Sequence, residues 1–424
     1  MPGRELLSVR GLEASVPGRM LFQGLRFSLG EGEVLLVTGR SGTGKTSLLR
    51  ILAGLAGLFG IKAQGSIRVL GEKPGTSNLA RIVHYIPQEP WFSLTTPYVA
   101  YELLSYTRAG LREAVEALRE LGVGDKIMES TSNLSAGEAQ RILLAEALLS
   151  GKKLILIDEV TSYLDEESRM MAVKAVKRIV EQGSAAIVVD HNVEIWRSVV
   201  SRVLYLEGGR VEYHDDPLET PVYHAMRELR RRLRPPHTMR GGLVAAAENL
   251  YYRYPDGEDY VLEGLSLSVH EGELLWIRGG SGRGKTTLLK LLAGIYKPTK
   301  GRITRPRGVQ LVPENPLLYI SSPTVIEELG GRRELAELAG LGEVLETPLL
   351  RLSSGERRRL AIVSAYSRQP RLLLVDEPTV GLDPWNASKV LGLLVSLAER
   401  GSGVIVASHG AELGLVASKS MSIG

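Results

Sequence analysis

GRSGTGKTS, Gly39 to Ser47, recurs as GGSGRGKTT, Gly279 to Thr287, and this repeated stretch decides how the chain is read. Each copy fits G-x-x-x-x-G-K-[ST]. Each follows a short apolar run (LLVTG, LLWIRG) and opens an amphipathic one (SLLRILAGL, TLLKLLAGI). The glycines Gly39, Gly42, Gly44 and Gly279, Gly282, Gly284 let backbone N–H groups turn inward onto phosphate oxygens. Lys45 and Lys285 supply a point charge there, and Thr46 and Thr286 can place a hydroxyl on a magnesium ion. Ser41, Ser47, Ser281 and Thr287 complete the loop residues expected to touch a nucleotide. The following helix adds the positive end of its dipole. A chance glycine turn accounts for one such loop, but not for two in the same strand-to-helix context.

Further repeats extend outward from these loops. NLSAGE recurs as RLSSGE, LILIDE as LLLVDE, and a histidine after an apolar run recurs as His191 and His409. From Ser135/Ser353 through Asp158/Asp376 to His191/His409 the offset holds at 218, against 240 for the phosphate loops and 226 for Gln88/Glu314. The chain therefore reads as a duplication with a shorter second copy. Runs such as KLILIDE and AAIVVDH suit strands buried on both faces of a parallel sheet. Ala100 to Met128 and Val325 to Leu345 carry helical periodicity and predict a small helical subdomain in each copy. The expected layout is a first domain over 1–215, a basic, proline-containing linker over 216–242, and a second, shorter domain over 243–424. The run RELRRRLR in the linker reads as a solvated helix, with contact to an anionic lipid or a partner as the other reading.

Composition narrows the classes. The 424 residues carry a net charge of +4, so no strong polyanion-binding field follows and no nucleic acid partner is expected. The chain has no cysteine, which excludes disulfides, thiolate metal sites and iron–sulfur clusters. No apolar run is long enough to span a bilayer and the N-terminus is not a signal peptide, so any membrane role requires a partner.

Asp158 and Asp376 end their strands where a carboxylate can hold magnesium through water. Glu159 and Glu377 follow at once and can polarise an attacking water. Away from a phosphate loop, a solvent-facing strand-end pair would be the simpler reading. His191 and His409 are placed to sense and orient a γ-phosphate.

These residues resemble the ATPase subunits of ATP-binding-cassette (ABC) proteins over nearly the whole chain outside the linker. LSAGE (Leu134 to Glu138) and LSSGE (Leu352 to Glu356) look like that family's signature. The resemblance implies an α/β fold of two tandem P-loop NTPase domains, each with a mainly parallel sheet core and a small helical subdomain, using ATP and Mg²⁺. It also implies that the two halves pair within the chain. Lys45, Thr46, Asp158, Glu159 and His191 would meet Ser353 and Gly355; Lys285, Thr286, Asp376, Glu377 and His409 would meet Ser135 and Gly137. SYLD and VGLD look like the loop that contacts the opposite domain.

The copies also differ. Tyr254 matches the aromatic that stacks on adenine, whereas the first copy has Val16 there. Gln88 matches the glutamine that touches Mg²⁺, whereas the second copy has Glu314, which can also ligate it. The two sites are therefore expected to be unequal. DEPTVGLDP and PTVIEEL resemble importer ATPases, most closely the energy-coupling-factor and cobalt-type group for vitamins or transition-metal ions. This implies a peripheral subunit on the cytoplasmic membrane face, with a transmembrane coupling protein and a substrate-binding protein as partners. The chain stops fifteen residues after His409, so no extra C-terminal domain is expected. The alternative reading is a soluble ATPase acting on ribosomes or another cytosolic assembly.

Overall fold

The computed structural model describes residues 4–107, 109–237, 241–255, 259–280 and 282–423. The chain divides into two compact units, one running to Met226 and the other beginning at Arg227.

The first unit contains strands β1 Glu5–Val16, β2 Arg19–Gly30, β3 Val34–Gly39, β4 Lys62–Val69, β5 Val83–Ile86, β6 Leu154–Asp158, β7 Ala185–Val189, β8 Arg202–Glu207 and β9 Arg210–His214. Its helices are α1 Lys45–Leu52, α2 Leu79–Ile82, α3 Val99–Tyr106, α4 Leu111–Glu120, α5 Ala136–Leu149, α6 Glu166–Glu181 and α7 Pro221–Arg232, the last of which crosses the division between units. The six-stranded sheet runs in the order β5-β6-β7-β3-β8-β9, parallel except for the β8–β9 hairpin. A three-stranded antiparallel sheet, β2-β1-β4, forms a second layer.

Every residue of β3, β6 and β7 is buried. This is why these strands read as unbroken apolar runs: both faces of a parallel sheet are covered. Leu48, Leu49 and Leu52 of α1 share one core with Leu12 and Phe22 of the antiparallel sheet and Leu35 and Val37 of β3. The phosphate-loop helix is thus clamped between the two sheets.

The second unit repeats the plan with β10 Leu243–Tyr252, β11 Leu262–His270, β12 Leu274–Arg278, β13 Lys300–Thr304, β14 Gln310–Val312, β15 Leu372–Asp376, β16 Gly403–Ala407 and β17 Lys419–Ser422. Its helices are α8 Lys285–Ala293, α9 Val325–Glu328, α10 Arg333–Leu338, α11 Ser354–Tyr366 and α12 Pro384–Glu399. The parallel sheet runs β14-β15-β16-β12-β17 and the antiparallel one β11-β10-β13. Leu288, Leu289 and Leu292 of α8 pack with Leu250, Leu275 and Ile277 between the sheets. On the other face, α11 and α12 bury Leu360, Val363, Leu391 and Leu394 against Trp276, Leu373 and Val375.

The basic stretch read as a solvated linker has an apolar side. Arg227, Arg230, Arg231, Arg232 and Arg234 are exposed, but Val222 is fully buried and Leu229 and Leu233 belong to the second unit's core. Periodic leucines among arginines make α7 an amphipathic helix. Among the described residues no helix is long and apolar enough to cross a membrane.

Candidate active sites

Strand order explains why residues far apart in sequence meet. In the first unit β6 and β3 both pair with β7, and in the second β15 and β12 both pair with β16. The phosphate loop, the Asp–Glu pair and the histidine therefore leave the carboxyl ends of three adjacent parallel strands, where ligands of open α/β sheets bind.

Gly44 and Gly284 cap their helices in the left-handed region, at φ 99° and 85°. A Cβ on Gly39 would lie 2.1 Å from the Leu206 carbonyl oxygen, and one on Gly279 2.6 Å from that of Ile423, so only glycine fits at the loop entrance. Gly42 and Gly282 also have positive φ. Lys45 Nζ donates to the carbonyls of Gly39 (2.9 Å) and Arg40 (2.8 Å), and Lys285 Nζ to those of Gly279 (2.8 Å) and Gly280 (2.9 Å). Both ammonium groups are thus folded back over their own loops. Ser41 and Ser47 lie in and just after the first loop, half-buried, and Thr287 is buried. Ser281 lies outside the described residues.

Thr46 Oγ1 donates to Asp158 at 3.2 Å and Thr286 Oγ1 to Asp376 at 2.7 Å. Burial, followed by the neighbouring Glu159 charge, pushes the Asp158 carboxyl up to about 7. Burial lifts Asp376 to about 6 against the Thr286 hydrogen bond. In each unit a buried carboxylate beside a threonine hydroxyl suits a cation. Asp376 Oδ1 fits the same requirement, being buried with no hydrogen-bond partner. Among the described residues no group of three or more His, Asp or Glu could hold a metal alone. A magnesium ion bound by one carboxylate and one hydroxyl is completed by phosphate and water oxygens.

Glu159 and Glu377 have left-handed backbones, at φ 50° and 43°. This conformation costs a non-glycine residue roughly 1–2 kcal/mol, and such strain clusters at active sites. A hydrogen bond holds it in each copy, from Glu159 N–H to Val189 O and from Glu377 N–H to Ala407 O, both 2.8 Å.

The surroundings of the two glutamates diverge. Glu159 meets His191 Nε2 at 3.0 Å and accepts from the Gln88 amide at 2.8 Å. Glu377 meets His409 Nδ1 at 3.1 Å and Lys285 at 3.5 Å, and accepts from Ser408 Oγ at 2.8 Å. Burial works to raise the Glu377 carboxyl, but the His409 hydrogen bond and the His409 and Lys285 charges hold it below its usual range. Glu314 occupies the position of Gln88, and burial, then the nearby Glu377 charge, push its carboxyl above its usual range.

Ser135 and Ser353 are N-caps of α5 and α11, each in a reciprocal capping box with Glu138 or Glu356. A Cβ on Gly137 would sit 2.9 Å from Tyr163 O, and one on Gly355 2.6 Å from Asn386 Oδ1. Gly137 therefore lets its helix start press against the loop at Tyr163, and Gly355 against the first turn of α12, each within its own unit.

Tyr254 bonds Thr287 Oγ1 through its hydroxyl at 2.9 Å and meets Tyr252 and Tyr296 edge-on. Val16, at the end of β1, is half-buried against the first unit's core.

The motif reading passed over several contacts at these sites. Gln140 donates to the Gln88 carbonyl at 3.2 Å, and its counterpart Arg358 donates to the Glu314 carbonyl. Tyr85 reaches Asp158, and Ser408 reaches Glu377. The constant offset pairs Gln140 with Arg358, and that change from neutral to charged was the available signal.

The family model described as ABC transporter matches residues 22–162 and 262–380, one stretch in each unit. A protein of Methanosarcina acetivorans named "Putative ABC transporter ATP-binding protein" is 26% identical across 94% of this chain and 84% of its own length. A namesake from Methanosarcina mazei is 28% identical across 90% of this chain and 85% of its own. Among solved structures, one titled RNase-L Inhibitor superposes with a TM-score of 0.70 at 22% identity, over 98% of this chain and 87% of that one. A ribosome-bound archaeal Pelota and ABCE1 model gives 0.72 at 22% identity, over 97% and 75%. At that identity the two structures show the shared fold. With the family model covering both site-bearing halves, the chain belongs to the ABC transporter family and is an ATP-hydrolysing ABC ATPase with two fused domains.

Proposed function

We propose that the two domains form a pair of ATP-driven sites that close on nucleotide and open after hydrolysis, and that this cycle drives a partner assembly. The observation that carries this reading is the duplicated glutamate. Glu159 and Glu377 sit in left-handed backbone directly after a buried aspartate and against a histidine, once in each unit. In each site the glutamate orients and polarises the attacking water, and the histidine holds the glutamate and faces the γ-phosphate. The P-loop lysine leaves its loop carbonyls for the phosphates. Thr46 with Asp158 and Thr286 with Asp376 would hold magnesium, joined by Gln88 or Glu314; when bound, the ion neutralises phosphate charge. Ser353 with Gly355, and Ser135 with Gly137, would cap the opposite domain's nucleotide by the family's arrangement. The γ-phosphate is then the ligand that biases a two-state element.

Two readings of the partner follow. In the first, the chain energises a membrane importer from the cytoplasmic face. The names of the Methanosarcina relatives support it, and PTVIEEL and DEPTVGLDP point to the energy-coupling-factor type for vitamins or metal ions. In the second, it is a soluble ATPase acting on ribosomes. The whole-chain likeness to structures titled RNase-L Inhibitor and ribosome-bound ABCE1 supports this at least as well. The absence of cysteine means that any such role proceeds without an iron–sulfur domain in this chain. Affinity capture of the tagged chain from detergent-solubilised source cells, with mass spectrometry, separates them. A multi-span membrane protein supports the first reading; ribosomal proteins without a membrane subunit support the second and overturn the first.

A further inference from the structure

The two aspartates at the strand ends are held differently. Asp158 has both oxygens engaged: Oδ1 accepts from Thr46 at 3.2 Å and Oδ2 from the Tyr85 hydroxyl at 3.3 Å. Asp376 accepts from Thr286 through Oδ2, while its Oδ1 is buried and unbonded. The 226 offset that pairs Gln88 with Glu314 pairs Tyr85 with Leu311, which has no hydroxyl. The helix above differs in step. Arg50 stacks 3.8 Å from the Phe59 ring, close enough to act on both Tyr85 and Asp158. Its counterpart Lys290 instead lies over Tyr296, 5.5 Å from that ring centre.

We infer that Tyr85 is a positioning residue that presets Asp158 for magnesium in the first site, and that Leu311 leaves the second site to order Asp376 only when the metal arrives. A buried carboxylate with one free oxygen can rotate about its terminal torsion, which is broad. A phenol donating to the second oxygen fixes that torsion before the ion binds, so less ordering is left for binding to supply. The hydroxyl is the donor of this pair and the carboxylate oxygen the acceptor. Tyr85 acts through Asp158 and need not touch nucleotide or metal. The inference rests on the ATPase assignment and adds a difference in metal demand between its two sites.

The test uses the full chain and Mn²⁺ as a paramagnetic stand-in for Mg²⁺. In a Lys285→Ala background, which confines nucleotide to the first site, bound Mn²⁺ is counted by electron paramagnetic resonance with a non-hydrolysable ATP analogue. Tyr85→Phe should weaken Mn²⁺ by roughly three- to tenfold, within the range of one typical intramolecular hydrogen bond. Binding of the analogue in EDTA should stay unchanged; that readout reports the nucleotide site itself, so its failure is separable. Unchanged Mn²⁺ affinity overturns the inference. Parallel loss of metal-free nucleotide binding also overturns it, by marking Tyr85 as structural. In a Lys45→Ala background, Leu311→Tyr should tighten Mn²⁺ at the second site, and this variant decides the matter if Tyr85→Phe does not fold.

Discussion

The two units run the same chain plan with different local chemistry, and the contrast separates what the fold requires from what each site has tuned. Both keep the glycine-lined loop, the lysine folded onto its own carbonyls, the strained glutamate and the capped signature helix. The loop glycines are fixed by the backbone, because a side chain at Gly39 or Gly279 would clash with a neighbouring carbonyl. The differences lie in side chains one layer out. Gln88 touches Glu159, whereas Ser408 touches Glu377. An aromatic cluster of Tyr252, Tyr254 and Tyr296 sits by the second phosphate loop, where the first unit offers Val16. Such changes are expected to move affinity and rate while leaving the sheet intact.

The largest expected effect bears on what the units share. Glu159→Gln with Glu377→Gln should lower steady-state ATP turnover by about 10²–10⁴-fold with nucleotide still bound; undiminished phosphate release would remove both glutamates from the chemistry. The single variants should differ, because their glutamates have different partners, and equal losses would break the contrast.

Adenine recognition comes next. Tyr254→Ala should weaken ATP at the second site by about 1–3 kcal/mol, the range for a base stacked on an aromatic ring. Val16→Tyr should strengthen the first site. Equilibrium titration of a fluorescent ATP analogue reads both changes, and no loss in Tyr254→Ala would mean adenine lies elsewhere.

A third difference is buried away from the loops. Glu146 in α5 corresponds to Ser364 in α11, whose hydroxyl donates to Glu328 at 2.7 Å. Glu146 instead lies near Glu102 and His84, and burial, then the Glu102 charge, push its carboxyl up to about 8. Burial also holds His84 down at about 4, so in the fold it stays neutral above that pH. A carboxyl raised in the folded state contributes stability that is complete below its ordinary 4.5 and is lost as pH rises through about 8. Between pH 6.5, where an unfolded His84 is half deprotonated, and 8, this amounts to at most about 2 kcal/mol at one proton per site. Glu146→Gln should flatten the first unit's unfolding midpoint over that window in pH-resolved calorimetry. An unchanged slope would place the proton elsewhere.

The smallest effect should be equal in the two units. Ser135→Ala and Ser353→Ala each remove one half of a capping box and should cost about 1 kcal/mol of stability, measured by urea unfolding. A clear inequality would show that the signature helices are held differently despite identical caps.

Much of this was legible in the residues. Parallel strands covered on both faces must be continuously apolar, so LILID and LLLVD announced themselves, and the glycine–lysine loops followed from backbone sterics. The duplication gave register, and register gave the Asp–Glu–His sets. The apolar anchor of α7 was hidden by its arginines, since two leucines among five exposed cations barely shift composition.

Sequence by itself determined the α/β class and the tandem repeat, and it named the candidate site side chains, because each depends on local periodicity or on a backbone geometry that few residues tolerate. Tertiary structure alone decided which neighbours those side chains have: Tyr85 on Asp158, Ser408 on Glu377, Gln88 on Glu159. Those contacts join strands and helices distant along the chain, and a hydroxyl or carboxylate carries no mark of its partner until the sheet order brings the two within hydrogen-bond reach.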